Sequence, residues 1–184
     1  IVNFVTITKL FLIVKLMKKI VLIILIISYF NCNSQEAKLD LELLHVKVFT
    51  LVNNYRVSIK VKPLLKDAVL KEAAEDHSIY IANEQSLTHE QSNPNKKLPK
   101  DRVYFYKGND FVLVGENLLY TGIKDKIYTE TDLDALALKI FNLWKNSPNH
   151  LKIMSSEKYS YTGFGFEIDW NTQRLYVVEV FGTK

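Results

Sequence analysis

The stretch TDLDALALKIFNLWKNSPNH, residues 131–150, carries both a helix and the signal that stops it. Leu133, Leu136, Ala137, Ile140 and Trp144 fall on one face at helical spacing. Asp132 and Asp134 sit in the first turn, where the positive end of the helix dipole favours carboxylates, and Thr131 is expected to be the N-cap. The helix must end before Pro148. Ser147-Pro148 then has the residue types of an N-cap and a first helical position, so a short second helix should follow with His150 in its first turn.

Upstream, two further helices are legible. From Asp40 the apolar positions Leu41, Leu44, Val48, Val52 and Tyr55 repeat at helical spacing. After Asp67 a second stripe holds Leu70, Ala73, Ala74, His77 and Ile81. Lys62-Pro63 separates them. His77 lies on the apolar stripe and is expected to be a core histidine, while His45, near the edge of its helix face, is given no role. From Gln85 to about Asp110 the chain turns polar, with Asn, Pro, Lys and Gly, and reads as a long connection of the kind that often borders a site.

Downstream, Tyr159–Ile168 and Arg174–Phe181 are β-rich runs joined by residues 169–173 and suit an antiparallel hairpin, with Phe111–Leu119 as a third strand. Gly163 and Gly165 are read as allowing close backbone approach to a strand, and Trp144 as core. Helices and antiparallel strands in this order imply an α+β fold with helices packed on a small antiparallel sheet.

Met17-Lys18-Lys19 followed by the apolar run Ile20–Phe30 has the layout of a secretory signal. That run is shorter than the roughly 20 apolar residues a bilayer span needs, although residues 4–16 are also apolar-rich and could lengthen it. Translation is expected to start at Met17. Cys32, the single cysteine, cannot form an internal disulfide. It resembles the acylated cysteine of bacterial lipoproteins, with Asn31 in place of the usual small residue before it. The reading is therefore a targeting segment over 1–32, a linker over 33–40 and one domain over 41–184, displayed outside the cytoplasm and held at the membrane by its lipidated end or secreted free.

Charge excludes one class of partner. The chain has 24 basic and 20 acidic residues, but residues 1–32 contain Lys9, Lys15, Lys18 and Lys19 and no acid, which leaves 20 against 20 for the rest. A nucleic-acid-binding domain would carry its own excess of Lys and Arg, so no nucleic-acid partner is expected. Those 152 residues suffice for one domain burying roughly 68–70% of its unfolded surface.

Taken in order, Asn54-Tyr55-Arg56, His77-Ser78, Thr88-His89, Gly115-Glu116-Asn117, the run from Trp144 to His150, and Gly163-Phe164-Gly165-Phe166 resemble the CAP superfamily. This is the group of cysteine-rich secretory, antigen 5 and pathogenesis-related proteins, also called SCP-like, and the likeness is to its disulfide-free bacterial branch. It covers about residues 43–182 and implies an α-β-α sandwich. It also implies a central cavity with two histidines and two acidic residues, which in some members holds a divalent metal. Position by position these are His89, Glu116 and His150, with Ser147 where the second carboxylate usually lies. Sterol and lipid binding in some members, and peptide cleavage suggested for others, imply no single activity.

The chemistry of such a site leaves two readings open. Two neutral imidazoles and a carboxylate can fill three positions of a tetrahedral zinc, the fourth being left to water whose pKa falls toward ~7. His89, Glu116 and His150 would be those ligands. Equally, the three can form a hydrogen-bonded polar cluster, and Ser147-Pro148 can be explained by capping alone. No Gly-x-Ser-x-Gly elbow is present and Cys32 is assigned to the anchor, so nucleophilic catalysis has little support. The expected function is a binding module for a lipid, an envelope glycan or a protein; the alternative is a metal-dependent hydrolase of envelope material, with zinc as its cofactor.

Overall fold

The structure, a computed structural model, describes residues 15–19 and 38–184. The chain divides into two compact units, Ile1–Glu36 and Ala37–Lys184. In the first, residues 15–19 are helical; the apolar run after Ile20 and the expected lipidation site Cys32 lie outside the described residues. Among the described residues no helix is long and apolar enough to cross a membrane.

In the second unit, α1 (Leu41–Ser58) starts where Asp40 accepts a hydrogen bond from the Leu43 N–H, and α2 (Ala68–Asn83) starts where Asp67 accepts from Val69 and Leu70. Between them, β1 (Leu65–Lys66) is a two-residue strand. The segment 85–110 is more ordered than a plain connection. It contains a 3-10 turn, Pro94–Lys96, and a short helix α3, Pro99–Phe105, with proline at its start and Asp101 accepting from the Leu98 N–H. Its polar composition hid a helix of seven residues, too short to show periodicity.

After α3 come β2 (Leu113–Gly122), α4 (Glu130–Lys145), α5 (Pro148–Met154), β3 (Tyr161–Asp169) and β4 (Arg174–Thr183). The N-cap of α4 is Thr129, not Thr131. The Thr129 hydroxyl accepts from the Asp132 N–H and Asp132 accepts from the Thr129 N–H, a reciprocal capping box. The competing box from Thr131 would need Asp134, and that carboxylate is paired 2.5 Å from Lys47 on α1.

The sheet runs β1-β3-β4-β2. It is mixed rather than purely antiparallel: β2, β4 and β3 pair antiparallel, while the short edge strand β1 pairs parallel to β3. Two residues give no alternation to read, so β1 is silent in the sequence. Central β4 is covered on both faces and reads as an unbroken apolar run except at Glu179. Its side chains alternate between two cores. Leu175, Val177 and Phe181 pack with Leu44, Val48, Leu136, Ile140 and Trp144 of α1 and α4. Tyr176, Val178 and Val180 pack with Leu70, Ala73, Ala74 and Ile81 of α2 and Val103 of α3. The result is the expected α-β-α sandwich.

Strand β3 lies against the α2 backbone. A Cβ at Gly163 would sit 2.1 Å from the Lys71 nitrogen, and one at Gly165 would sit 2.2 Å from the Ala74 oxygen. Glycine is required here by space, as the sequence suggested.

Candidate functional site

Strand β2 is an edge of the sheet, and its alternation sends Glu116 toward α2 and α3 and Asn117 toward the opposite face. The Glu116 side chain is 1% exposed. Three groups meet it. Arg102 of α3, itself fully buried, places a guanidinium nitrogen 2.5 Å from Oε2. His89, on the bend that follows α2, brings Nδ1 within 2.8 Å of Oε1. His77 of α2 places Nε2 3.7 Å from the same oxygen.

Partners fix how each ring is used. His77 Nε2 is 2.7 Å from the Thr88 carbonyl, which can only accept, so this nitrogen carries the proton; Nδ1 then accepts from the Gln91 amide at 3.2 Å. Burial, only partly offset by the negative charge of Glu116, holds the His77 pKa below the ordinary imidazole value. His77 is therefore a neutral clamp on the loop that carries His89. Arg102 fastens the other side of that loop, donating to the carbonyls of His89, Lys96 and Lys97 at 3.2 Å each.

His89 differs from the rest. Its side chain is 54% exposed while the carboxylate beneath is covered. Facing a carboxylate oxygen, Nδ1 must donate, so in the neutral ring the bare nitrogen is Nε2. Glu116 thus orients one imidazole at the surface. No hydroxyl or thiol makes a hydrogen bond to His89 among the described residues.

His150 is at the third position of α5, half-buried, and makes neither a hydrogen bond nor an ion pair with Glu116 among the described residues. The link is through the next residue: the Asn117 amide donates to the His150 carbonyl at 3.0 Å, which seats α5 against β2. Its Nδ1 is buried without a partner. Burial first, and a smaller electrostatic effect of the His89 ring second, push its pKa down. Ser147 is the N-cap of α5 by position, but its side chain makes no capping bond. Pro148 at the first helical position removes one orphan N–H, and the serine hydroxyl is left half-buried beside the helix start.

The donor set does not suit a divalent cation. Both oxygens of Glu116 are engaged, one of them by a permanent positive charge that would repel a metal. Among the described residues no three His, Cys, Asp or Glu side chains converge as ligands.

The sequence gives no signal for Arg102 or Gln91, and Asn117 enters it only as part of the Gly115-Glu116-Asn117 motif. Arg102 lies in the segment read as a connection, and a lone arginine there gives no signal until α3 is known. His77 was recognised as a core histidine, and it is one; its polar partners come from a loop whose course only the fold reveals.

The sequence model of the cysteine-rich secretory protein (CAP) family matches residues 49–181. No curated protein matches. An outer surface protein of Borrelia burgdorferi is similar in structure, with a TM-score of 0.65 at 20% identity over 79% of this chain and 96% of its own. An extracellular protein of Bacillus anthracis containing an SCP domain gives 0.55 at 23% identity over 74% of this chain, and a cysteine-rich secretory protein of Staphylococcus aureus gives 0.54 at 16% over 83%. This chain spans 39% and 42% of those two proteins. At these identities the likeness is one of fold.

Proposed function

The chain belongs to the cysteine-rich secretory protein (CAP) family, and from that premise we propose that it is an exported binding module whose ligand is received at the imidazole of His89. The observation that carries this reading is the saturation of Glu116. A carboxylate held by Arg102 and His89 and covered from solvent is spent on orienting other groups, and what it orients is one exposed ring. A neutral His89 offers Nε2 as an acceptor, which suits a ligand bearing hydroxyl or amide N–H groups, such as an envelope glycan or a protein surface; a lipid headgroup with hydroxyls satisfies the same chemistry.

Export is supported by the signal-like run ending at Cys32 and by the extracellular and outer-surface descriptions of the similar structures. Acylation of Cys32 would hold the domain at the membrane, and two or more acyl chains are what stable anchoring requires. Fatty-acid labelling that persists in Cys32→Ala would overturn the anchor.

Binding is tested by co-sedimentation of the purified protein with cell-envelope fractions of its host. His89→Phe and Glu116→Gln should both abolish retention, because one removes the acceptor and the other its orientation. Retention unchanged in both variants would refute the site.

One observation favours a second reading, that of a hydrolase acting on envelope material. A carboxylate holding an imidazole through Nδ1 is the arrangement of a base and its orienting group. Release of soluble fragments from the same fractions, lost in His89→Phe, would support catalysis, and stoichiometric zinc in the purified protein would mark it as metal-dependent.

A further inference from the structure

Seven of the seventeen lysines from Lys38 onward make ion pairs among the described residues, Lys97 and Lys184 among them. Lys38, Lys47, Lys71, Lys96 and Lys126 each sit on a carboxylate. Of the ten that make no ion pair among the described residues, four, Lys60, Lys62, Lys152 and Lys158, line two clefts that share Tyr159. The first cleft, about 680 Å3, has Lys60 and Lys62 on its wall; the second, about 460 Å3, has Lys152 and Lys158. Glu157 is the one acid on either wall.

Beneath them lies another positive charge. Arg56 is fully buried, and its guanidinium donates to four main-chain carbonyls, those of Lys62, Met154, Ser156 and Tyr159, and among the described residues to no carboxylate. Three of these residues line the clefts. Glu179 is fully buried, which raises its pKa well above the ordinary carboxyl value, and it makes no ion pair with Arg56 among the described residues. A buried charge is screened by salt far less than a surface one, so its field reaches the groove above. Along this one open groove, four lysines without ion pairs and the buried Arg56 stand against a single acid on the walls.

We propose that this groove is a second binding site, distinct from the His89 site, and that its ligand is a linear acidic glycan with repeating carboxylate or phosphate groups. The two clefts run on either side of one aromatic ring, a form suited to a chain passing through rather than a compact ion. Tyr159 supplies a half-buried ring for a sugar face, and Asn149, Ser156 and Ser160 supply hydroxyl and amide partners for sugar hydroxyls. The lysines, two on each side, match charges repeated along a polymer.

The test is calorimetric titration of the full chain with oligogalacturonides of increasing length, with the methyl-esterified oligomers as the uncharged control. Affinity should rise with length until both clefts are spanned, weaken with added salt, and vanish for the ester. Lys60→Ala with Lys62→Ala, and separately Lys152→Ala with Lys158→Ala, should each weaken binding about tenfold, as expected for the loss of two exposed ionic contacts. All four lysines are exposed, so the variants should melt as the parent does, and Lys107→Ala with Lys124→Ala, at exposed positions elsewhere, should bind as the parent does. His89→Phe should leave oligogalacturonide binding intact, which separates the two proposals. Absence of binding to any charged oligomer, equal binding of the ester, no effect of either lysine pair, or binding to phosphatidylglycerol vesicles alone would each overturn the assignment.

Discussion

Arg102→Met separates a buried carboxylate from its counter-charge, and the structure says what that should cost. Both partners are sealed, Arg102 at 0% and Glu116 at 1% side-chain exposure, and 2.5 Å apart. Removing one member of such a pair leaves an uncompensated buried charge, which typically costs about 3–5 kcal/mol. The substitution also deletes the donors to the carbonyls of His89, Lys96 and Lys97, so the loop carrying His89 should loosen as well. For a domain of this size, 3–5 kcal/mol corresponds to a fall in Tm of roughly 6–20 °C. Thermal unfolding followed by circular dichroism reads it. The decisive variant is the double substitution with Glu116→Gln: with the orphaned charge gone, it should recover at least about 1 kcal/mol relative to Arg102→Met alone, a coupling of the size seen between contacting residues. A loss below about 1 kcal/mol in the single variant, or a double variant whose cost is the plain sum of the two, would refute the reading of Glu116 as a charge held in place by Arg102.

Three further outcomes follow from buried groups. His45 packs among Phe49, Phe164 and Phe166 with Nε2 unpartnered, and burial depresses its pKa, so the unfolded chain takes up its proton first and the contribution to stability is lost as pH falls below about 6.5; His45→Leu should flatten the decline in Tm on acidification, and an unchanged slope would count against it. Glu179 is the opposite case: its raised pKa means that stability is present below the ordinary carboxyl value and lost as pH rises toward the folded one, so Glu179→Gln should stabilise at neutral pH by about 1–3 kcal/mol, measured by urea unfolding, whereas a destabilised variant would show that the carboxylate is satisfied. Gly163→Ala would force a Cβ to 2.1 Å from the α2 backbone and should cost at least about 3 kcal/mol or prevent folding; near-parental Tm would mean that the sheet and helix are looser than described.

Long, strongly periodic elements were legible in the sequence because each buries a stripe: α1, α2 and α4 announce themselves through Leu44, Leu70, Ile140 and their neighbours, with Asp40 and Asp67 marking two starts. Among the short elements, α5 was announced by Ser147-Pro148, and two others were not. β1 and α3 bury too few residues to write a pattern, and the parallel pairing of β1 to β3 is a tertiary fact. At the site, His89 and Glu116 could be named because the spaced motifs resembled a family, and the structure places them in contact. His150 is tied to that pair through the Asn117 amide and its own backbone, a connection that no side-chain chemistry in the sequence could suggest. Arg102 went unnoticed for the same reason that α3 did. Ser147 shows the limit of residue type as a guide, since it holds the N-cap position without making the capping bond.

The account rests on Glu116 orienting His89, and the protonation of that ring reports it directly. Long-range proton–nitrogen NMR of the full chain, recorded above the ordinary imidazole range, should find His89 with its proton on Nδ1 and Nε2 bare, and Glu116→Gln should shift the ring toward the other tautomer. A proton on Nε2 in the parent protein, or a tautomer unchanged in Glu116→Gln, would contradict it.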